Sequence, residues 1–386
     1  MTDTILVLNA GSSSIKFSLF ACDDGDLHQI YRGSITGIGS RAEFTVKHTQ
    51  GDILTQQDLG EIQHEAAFNV LLSWISQHED GLNLISVGHR VVHGGVMFTE
   101  PTVIDDRIIR QLDSLIPLAP LHQPHNILPI KILRKLNPQL QQVACFDTAF
   151  HAEQPEVEQM LPIPRNYWES GIKRYGFHGS SYEYITSILP KIVGCVPERL
   201  VIAHLGNGAS LAAVSNAVGV ATTMSFTPLD GVPMGTRPGA LDAGVILYLL
   251  NNGMDVATLN HFLYHECGLL GVSGISNDMQ TLLASDTVEA RQAIDLFSYR
   301  VAREIGSLAV ALQGLEVLVF TGGIGEHAPL IREKVCNYLT WMGINLDLNA
   351  NETNNLQIST PNSKISVWVI PTDEEKMIAQ HTYEAY

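Results

Sequence analysis

Near its start the chain carries a β-branched and leucine run, a turn of small residues, and a second run of alternating apolar character: Thr4-Ile-Leu-Val-Leu-Asn-Ala-Gly-Ser-Ser-Ser-Ile-Lys-Phe-Ser-Leu-Phe20. This pattern predicts a β-hairpin. The same plan of apolar strand, polar glycine turn and strand returns about half a chain later as Leu200-Val-Ile-Ala-His-Leu-Gly-Asn-Gly-Ala-Ser-Leu-Ala-Ala-Val214. A supersecondary unit recurring at that spacing in 386 residues points to two related domains that descend from a duplication.

A third segment, Val317-Leu-Val-Phe-Thr-Gly-Gly-Ile-Gly-Glu-His327, runs from an apolar strand through a glycine turn into a helix with Pro329 near its first turn. Strand-like and helical runs alternate throughout, so the expected class is α/β with mixed sheets. A domain junction is expected just after Phe146-Asp147, beyond which Pro155, Pro162 and Pro164 interrupt regular structure. The polar, Asn-rich residues 345–355 read as a surface connection before a strand at 365–370. From Glu374 onward the chain reads as a helix that packs back on the first domain. The expected division is 1–147 plus 374–386 for one domain and 148–373 for the other.

Forty acidic against 23 basic residues leave a net charge of −17. That balance repels polyanions, so no nucleic acid and no anionic membrane are expected as partners. A small anionic ligand stays compatible if arginines are concentrated where it binds. The five scattered cysteines form no CxxC and no Cys/His cluster, which reads as reduced thiols in a cytoplasmic protein. Asp3 leads straight into the apolar residues 5–8 with no basic leader, and the longest apolar stretches fall short of the ~20 residues of a membrane helix.

Glycine-rich turns let backbone N–H groups approach phosphate oxygens, although Gly-Gly and Asn-Gly are also ordinary hairpin turns. Neither a Walker A motif nor a full GxGxxG follows a strand here, which argues against P-loop and Rossmann readings. Arg90, in Gly88-His-Arg-Val-Val-His-Gly-Gly95, and Arg237, in Pro233-Met-Gly-Thr-Arg-Pro-Gly239, are lone arginines among glycines and apolar residues. A guanidinium in such a setting needs an anion, which is either a ligand's carboxylate or phosphoryl group or an internal Asp or Glu. His178, in Arg174-Tyr-Gly-Phe-His-Gly-Ser-Ser181, sits in an open glycine turn, either as a functional ring or as a plain turn residue. Asp147 ends an apolar strand, where a carboxylate serves as metal ligand or base, or caps a helix. The cluster Asp373-Glu374-Glu375 offers a carboxylate to a site or only decorates a helix N-terminus.

In chain order these segments resemble the acetokinase family, the acyl-phosphate-forming kinases. The resemblance covers nearly the whole chain and adds the motifs Ala119-Pro-Leu-His122, Phe146-Asp-Thr-Ala-Phe-His151, Phe226-Thr-Pro-Leu-Asp-Gly231, Gly274-Ile-Ser-Asn-Asp278 and Pro371-Thr-Asp-Glu-Glu375. It implies the duplicated two-domain acetate and sugar kinase/Hsp70/actin fold, RNase H-like, with a cleft between domains and a homodimer as the working unit. The implied reaction is ATP + acetate ⇌ ADP + acetyl phosphate, dependent on Mg²⁺ and open to Mn²⁺. By the same resemblance Asn9 and Glu374 hold the metal, while Ser12, Ser14 and Lys16 attend the phosphates. Arg90 binds the substrate carboxylate, Asp147 is the essential acid, and His178 and Arg237 stabilise the transition state. Val92, Leu121, Phe177 and Pro228 match the pocket for the acyl methyl group. The nucleotide lies against His204, Leu205, Gly206, Asn207, Gly208, Asp278, Met279, Gln280, Gly323, Ile324, Gly325, Glu326 and His327.

Four positions depart from the family pattern. Tyr182 stands where a second histidine is usual, Ala240 replaces an aspartate, Gln280 an arginine and His327 an asparagine. A propionate or broader short-chain acyl kinase is the alternative within enzymes, because one methylene in an apolar pocket is worth only ~1–3 kcal/mol. An ATP-driven switch of the actin or Hsp70 type shares the fold but has no use for Arg90, Arg237 and His178.

Overall fold

The computed structural model describes residues 1–23, 25–49, 51–78 and 81–386. It divides into two compact units: residues 1–149 together with 373–386, and residues 150–372. Among its described residues unit 1 holds eight strands: β1 (Thr2–Ala10), β2 (Ser14–Asp23), β3 (Asp26–Thr36), β4 (Ala42–His48), β5 (Ile53–Gly60), β6 (Leu82–Val91), β7 (Thr102–Val103) and β8 (Gln141–Phe146). They form one sheet in the order β5-β4-β3-β2-β1-β6-β8-β7. β1 and β2 are the expected antiparallel hairpin, whereas β6 pairs parallel with β1, and β8 parallel with β6.

Unit 2 holds β9 (Leu200–Leu205), β10 (Ala209–Ser215), β11 (Val218–Thr222), β12 (Val317–Thr321) and β13 (Ser366–Val369), in the order β11-β10-β9-β12-β13. β9 and β10 are the second hairpin. β12 runs parallel to β9, and β13 parallel to β12. Both units therefore build the same arrangement, a three-strand antiparallel meander followed by two parallel strands.

Central strands are covered on both faces, so they read as unbroken apolar runs rather than alternating ones. Residues 5–8 of β1 and 317–320 of β12 are all buried. In unit 1 the terminal helix Glu374–Glu384 lies so close to β6 that a Cβ at Gly88 would fall 2.3 Å from Thr382 Oγ1. In unit 2 the helix Val288–Ala311 buries Ala290, Ile294, Phe297, Val301, Ile305 and Leu308, the three- and four-residue spacing of one helical face.

One expectation is corrected. Residues 345–355 are not merely a surface connection, because they contain the helix Leu348–Glu352 and bury Asn351. The cause is Arg332, which is fully buried and donates from Nε to Asn351 Oδ1 at 2.8 Å and from Nη2 to Asn354 Oδ1 at 2.6 Å. A buried guanidinium demands acceptors, and these amides supply them. Among the described residues, no helix is long and apolar enough to cross a membrane.

Candidate active site

Unit 1 gathers its polar side chains at the C-terminal ends of its parallel strands, where open α/β sheets place ligands. Asn9 closes β1 and Lys16 lies directly opposite it on β2. The connecting turn is held by Gly11 N–H donating to the Ser14 carbonyl at 2.8 Å, which leaves Ser12 exposed and Ser14 half-buried. Arg90 is the penultimate residue of β6, and Asp147 follows β8 directly. Parallel pairing places Arg90 opposite Cys145, so the guanidinium reaches the carboxylate two residues on. Arg90 Nε donates to Asp147 Oδ1 at 2.8 Å and Nη2 to Oδ2 at 2.6 Å, a bidentate fork. Nη1 reaches Asn9 Oδ1 at 3.3 Å.

The Asp147 side chain is 3% exposed and that of Arg90 20%. Burial opposes the charge on Arg90, but the Asp147 carboxylate outweighs it and lifts the guanidinium pKa above its ordinary value. Of the two sequence readings for Arg90, the internal ion pair is realised, and Asp147 spends its carboxylate on Arg90 instead of capping a helix. The fork uses one N–H each of Nε and Nη2, so the second N–H of Nη2 and those of Nη1, one of which reaches Asn9, form the guanidinium's outer edge. Nearby Val92 is buried and Leu121 half-buried. Asn126, which belongs to no motif, accepts from Val92 N–H at 3.0 Å and donates to the Ala10 carbonyl at 2.6 Å, tying the end of β6 to the hairpin turn.

Glu374 opens the terminal helix, whose N-cap Asp373 accepts from Lys376 N–H at 2.9 Å. Burial pushes the Glu374 carboxyl pKa up; Arg90 and Lys16 oppose this, while Asp147 and Asp373 add to it. A carboxylate held against its own charge gains from a divalent cation. Asn9 and Glu374 supply hard oxygen donors, and no group of three or more His, Cys, Asp or Glu among the described residues is arranged as a metal cage. That donor set fits Mg²⁺, which takes one or two protein carboxylates and completes its shell with water and substrate phosphate.

Unit 2 assembles its residues around the β9–β10 turn. Gly206 N–H donates to the Gly208 carbonyl at 3.1 Å, and Gly235 N–H to the Asn207 carbonyl at 3.0 Å, which docks the Arg237 loop on the turn. A Cβ at Gly235 would lie 1.8 Å from Asn207 Oδ1, so a side chain there would have to displace that amide. Arg237 Nη1 donates to the Pro228 carbonyl at 2.7 Å. His178 adopts a left-handed backbone, φ 59° and ψ 27°, immediately before the helix Gly179–Val193. Such a conformation is unusual for a residue with a Cβ and marks a constrained position. Its ring stacks on His204 with centroids 4.5 Å apart, and His204 Nδ1 is 2.8 Å from Ser181 Oγ. Phe177 and Pro228 are buried.

The third glycine segment forms the helix Gly322–His327, with Gly322 at φ 76° packed on the Leu205 carbonyl. Glu326 turns back so that its carboxylate accepts from Gly322 N–H at 2.8 Å, and Arg332 Nη1 donates to the carbonyls of Gly325 and Glu326 at 2.8 and 3.0 Å. Gly323 and His327 are exposed, whereas Ile324 is half-buried. Asp278 is the N-cap of the helix Met279–Leu283, accepting from Gln280 N–H at 3.2 Å and Thr281 N–H at 3.3 Å. Its carboxylate is therefore engaged locally, and Gln280 beside it is exposed.

The profile of the Acetokinase family matches residues 4–380. An acetate kinase of Rhodopseudomonas palustris is 51% identical over 99% of this chain and 98% of its own length; one from Rickettsia prowazekii is 41% identical over 98% of each. Among solved structures, a propionate kinase from Francisella tularensis superposes with a TM-score of 0.93 and an acetate kinase from Porphyromonas gingivalis with 0.89. Each is 35% identical and covered over 99% of both chains.

Proposed function

Because the chain belongs to the acetokinase family, an enzyme that uses ATP to phosphorylate acetate, we propose that its two units divide the work by charge. A carboxylate is ionised at neutral pH and needs no base to attack the γ-phosphoryl group; the obstacle is bringing two anions together. Unit 1 receives the substrate. The outer edge of Arg90 takes the acetate carboxylate, Asp147 fixes that guanidinium, and Val92 and Leu121 face the methyl group. Asn9 and Glu374 hold Mg²⁺, which neutralises phosphate charge when bound, and Ser12, Ser14 and Lys16 attend the phosphates.

Unit 2 serves the nucleotide and the transfer. His204, Leu205, Gly206, Asn207 and Gly208, with Asp278, Met279 and Gln280 and with Gly323, Ile324, Gly325, Glu326 and His327, hold ATP. Arg237 and His178 meet the equatorial oxygens of the phosphoryl group in flight, and Phe177 and Pro228 add apolar surface for the acyl group. The observation that carries this reading is the Arg90–Asp147 fork. With its carboxylate bound at both oxygens, Asp147 is a poor base for a sugar hydroxyl, whereas a carboxylate acceptor requires none.

The working unit we propose is a homodimer in the cytoplasm. The helix Ala243–Asn251 is strongly apolar yet buries none of its residues, with Leu247 62% and Tyr248 66% exposed. A face of that kind is covered by a second copy; Tyr248→Asp should lower the mass measured by light scattering to that of one chain. The five cysteines are all free thiols, as a reducing compartment requires.

Hydroxylamine trapping with purified protein, ATP and Mg²⁺ tests the reaction. Acyl hydroxamate should form fastest with acetate, more slowly with propionate and butyrate, and not with sugars. A propionate maximum would move the assignment to the alternative, and no hydroxamate from any acid would sink it.

A further inference from the structure

Ser210 belongs to none of the roles above, yet it lies directly behind His178. Its Oγ is 2.8 Å from His178 Nδ1 and is also hydrogen bonded to the Tyr182 hydroxyl. Ser210 and Tyr182 are both 0% exposed. Backbone geometry fixes all three groups. Ser210 sits opposite His204 in the β9–β10 ladder, and Tyr182 stands one helical turn beyond His178 on the helix Gly179–Val193. On the far side of the ring, a Cβ at Gly208 would lie 3.3 Å from His178 Nε2 and 2.8 Å from Arg237 Nη2. The Nε2 edge and the guanidinium thus flank the same point of the turn.

Either oxygen can donate in the Tyr182–Ser210 bond, and the direction adopted is the one in which the phenol donates. A phenol ordinarily keeps its proton at neutral pH and is a good donor. When the Tyr182 O–H is given to Ser210 Oγ, the serine proton is left for His178 Nδ1, and the ring proton belongs on Nε2. The charged or titratable groups around the imidazole act in the same sense. Arg237 beside it opposes a second positive charge, and His204 stacks on its face while its own Nδ1 meets Ser181 Oγ.

We propose that Ser210 and Tyr182 are positioning residues, a directed hydrogen-bond relay that holds His178 as the neutral Nε2–H tautomer so that it donates to the transferring phosphoryl group beside Arg237. This deepens the role given to His178 above and rests on it.

The test is ¹⁵N NMR of the histidine-labelled full chain, with the His178 signal assigned from its loss in His178→Gln, combined with steady-state kinetics. At neutral pH His178 should carry its proton on Nε2 only. Ser210→Ala should convert that signal to mixed tautomers and lower kcat roughly 10–100-fold, the loss typical of a residue that orients a functional histidine, with KM for ATP and acetate changed less than about threefold. Tyr182→Phe keeps the serine contact, should show a smaller loss of the same kind, and decides the matter if Ser210→Ala fails to fold. An Nδ1–H tautomer or an imidazolium in the parent protein would overturn the proposal, as would parent-level kcat in both variants while His178→Ala is inactive. Full activity of His178→Ala would instead sink the underlying role of His178.

Discussion

Units 1 and 2 share a five-strand plan, β3-β2-β1-β6-β8 in one and β11-β10-β9-β12-β13 in the other, but hold their reactive groups by opposite means. Unit 1 works with compensated charge: Arg90 is clamped by Asp147, and Glu374 is held in the same field with its pKa pushed up. In unit 2 the contacts are to neutral groups at two points: Arg237 donates to the Pro228 carbonyl, and His178 Nδ1 meets the Ser210 hydroxyl. A sheet topology determines where strand ends meet, not what charge they carry. An arginine already paired to a carboxylate suits gripping a ground-state anion. For Arg237, which donates to a backbone carbonyl, the proposed task is instead an anion that exists mainly in the transition state.

If that contrast is right, the largest single effect comes from breaking the ion pair. Arg90→Ala leaves Asp147 buried without its partner and should destabilise the protein by about 3–5 kcal/mol while raising the acetate KM. Adding Asp147→Ala should recover much of the stability, read by chemical denaturation, but none of the acetate affinity. Recovery of both would mean the pair is only structural.

Arg237→Ala should behave differently, losing roughly 10²–10³-fold in kcat with the KM for ATP nearly unchanged and the thermal midpoint close to that of the parent. An effect confined to ATP affinity would erase the distinction between the two arginines.

Acid should loosen unit 1 through its buried histidines. Burial lowers the pKa of His89 to about 4, against a weaker opposing hydrogen bond to Gln142, and lowers that of His93 to about 4, against Asp147. Both are neutral in the folded protein where the unfolded chain takes up protons, so their contribution falls as pH drops from about 6.5 toward 4. For His89 alone the loss at pH 5 relative to pH 8 is about 2 kcal/mol. His89→Gln should flatten the pH dependence of the urea midpoint over that range; an unchanged slope would place the acid sensitivity elsewhere.

The smallest effect concerns Asp278. As an N-cap its loss in Asp278→Ala should cost about 1 kcal/mol of stability. An accompanying rise of more than tenfold in the KM for ATP would show that the capping carboxylate also serves the nucleotide.

Much of this architecture was legible in the chain. The two hairpins announced themselves because a small-residue turn between apolar runs has few other solutions, and Pro329 does open the helix Pro329–Tyr338. The family resemblance named individual site positions; the contact partners of those residues were not legible in the sequence. Arg90 and Asp147 are 57 residues apart and meet only because β6 and β8 pair in parallel register. Ser210 reads as an ordinary small residue in a buried strand, and nothing local links it to His178 32 residues earlier. Residues 345–355 are mostly exposed, as read; what the sequence did not show is that Asn351 among them is buried, because the buried Arg332 claims it.

By itself the sequence determined the α/β class, the duplicated hairpins, the acidic surface and the residue types available for phosphoryl transfer to a carboxylate. These rest on periodicity, turn chemistry and composition, which act over a few residues at a time. Only the tertiary structure decided that Arg90 meets Asp147, that His178 lies beside the Ser210 hydroxyl and that Asn351 is buried. Each of those depends on strand register and helix packing, where a shift of one residue would exchange every partner for another.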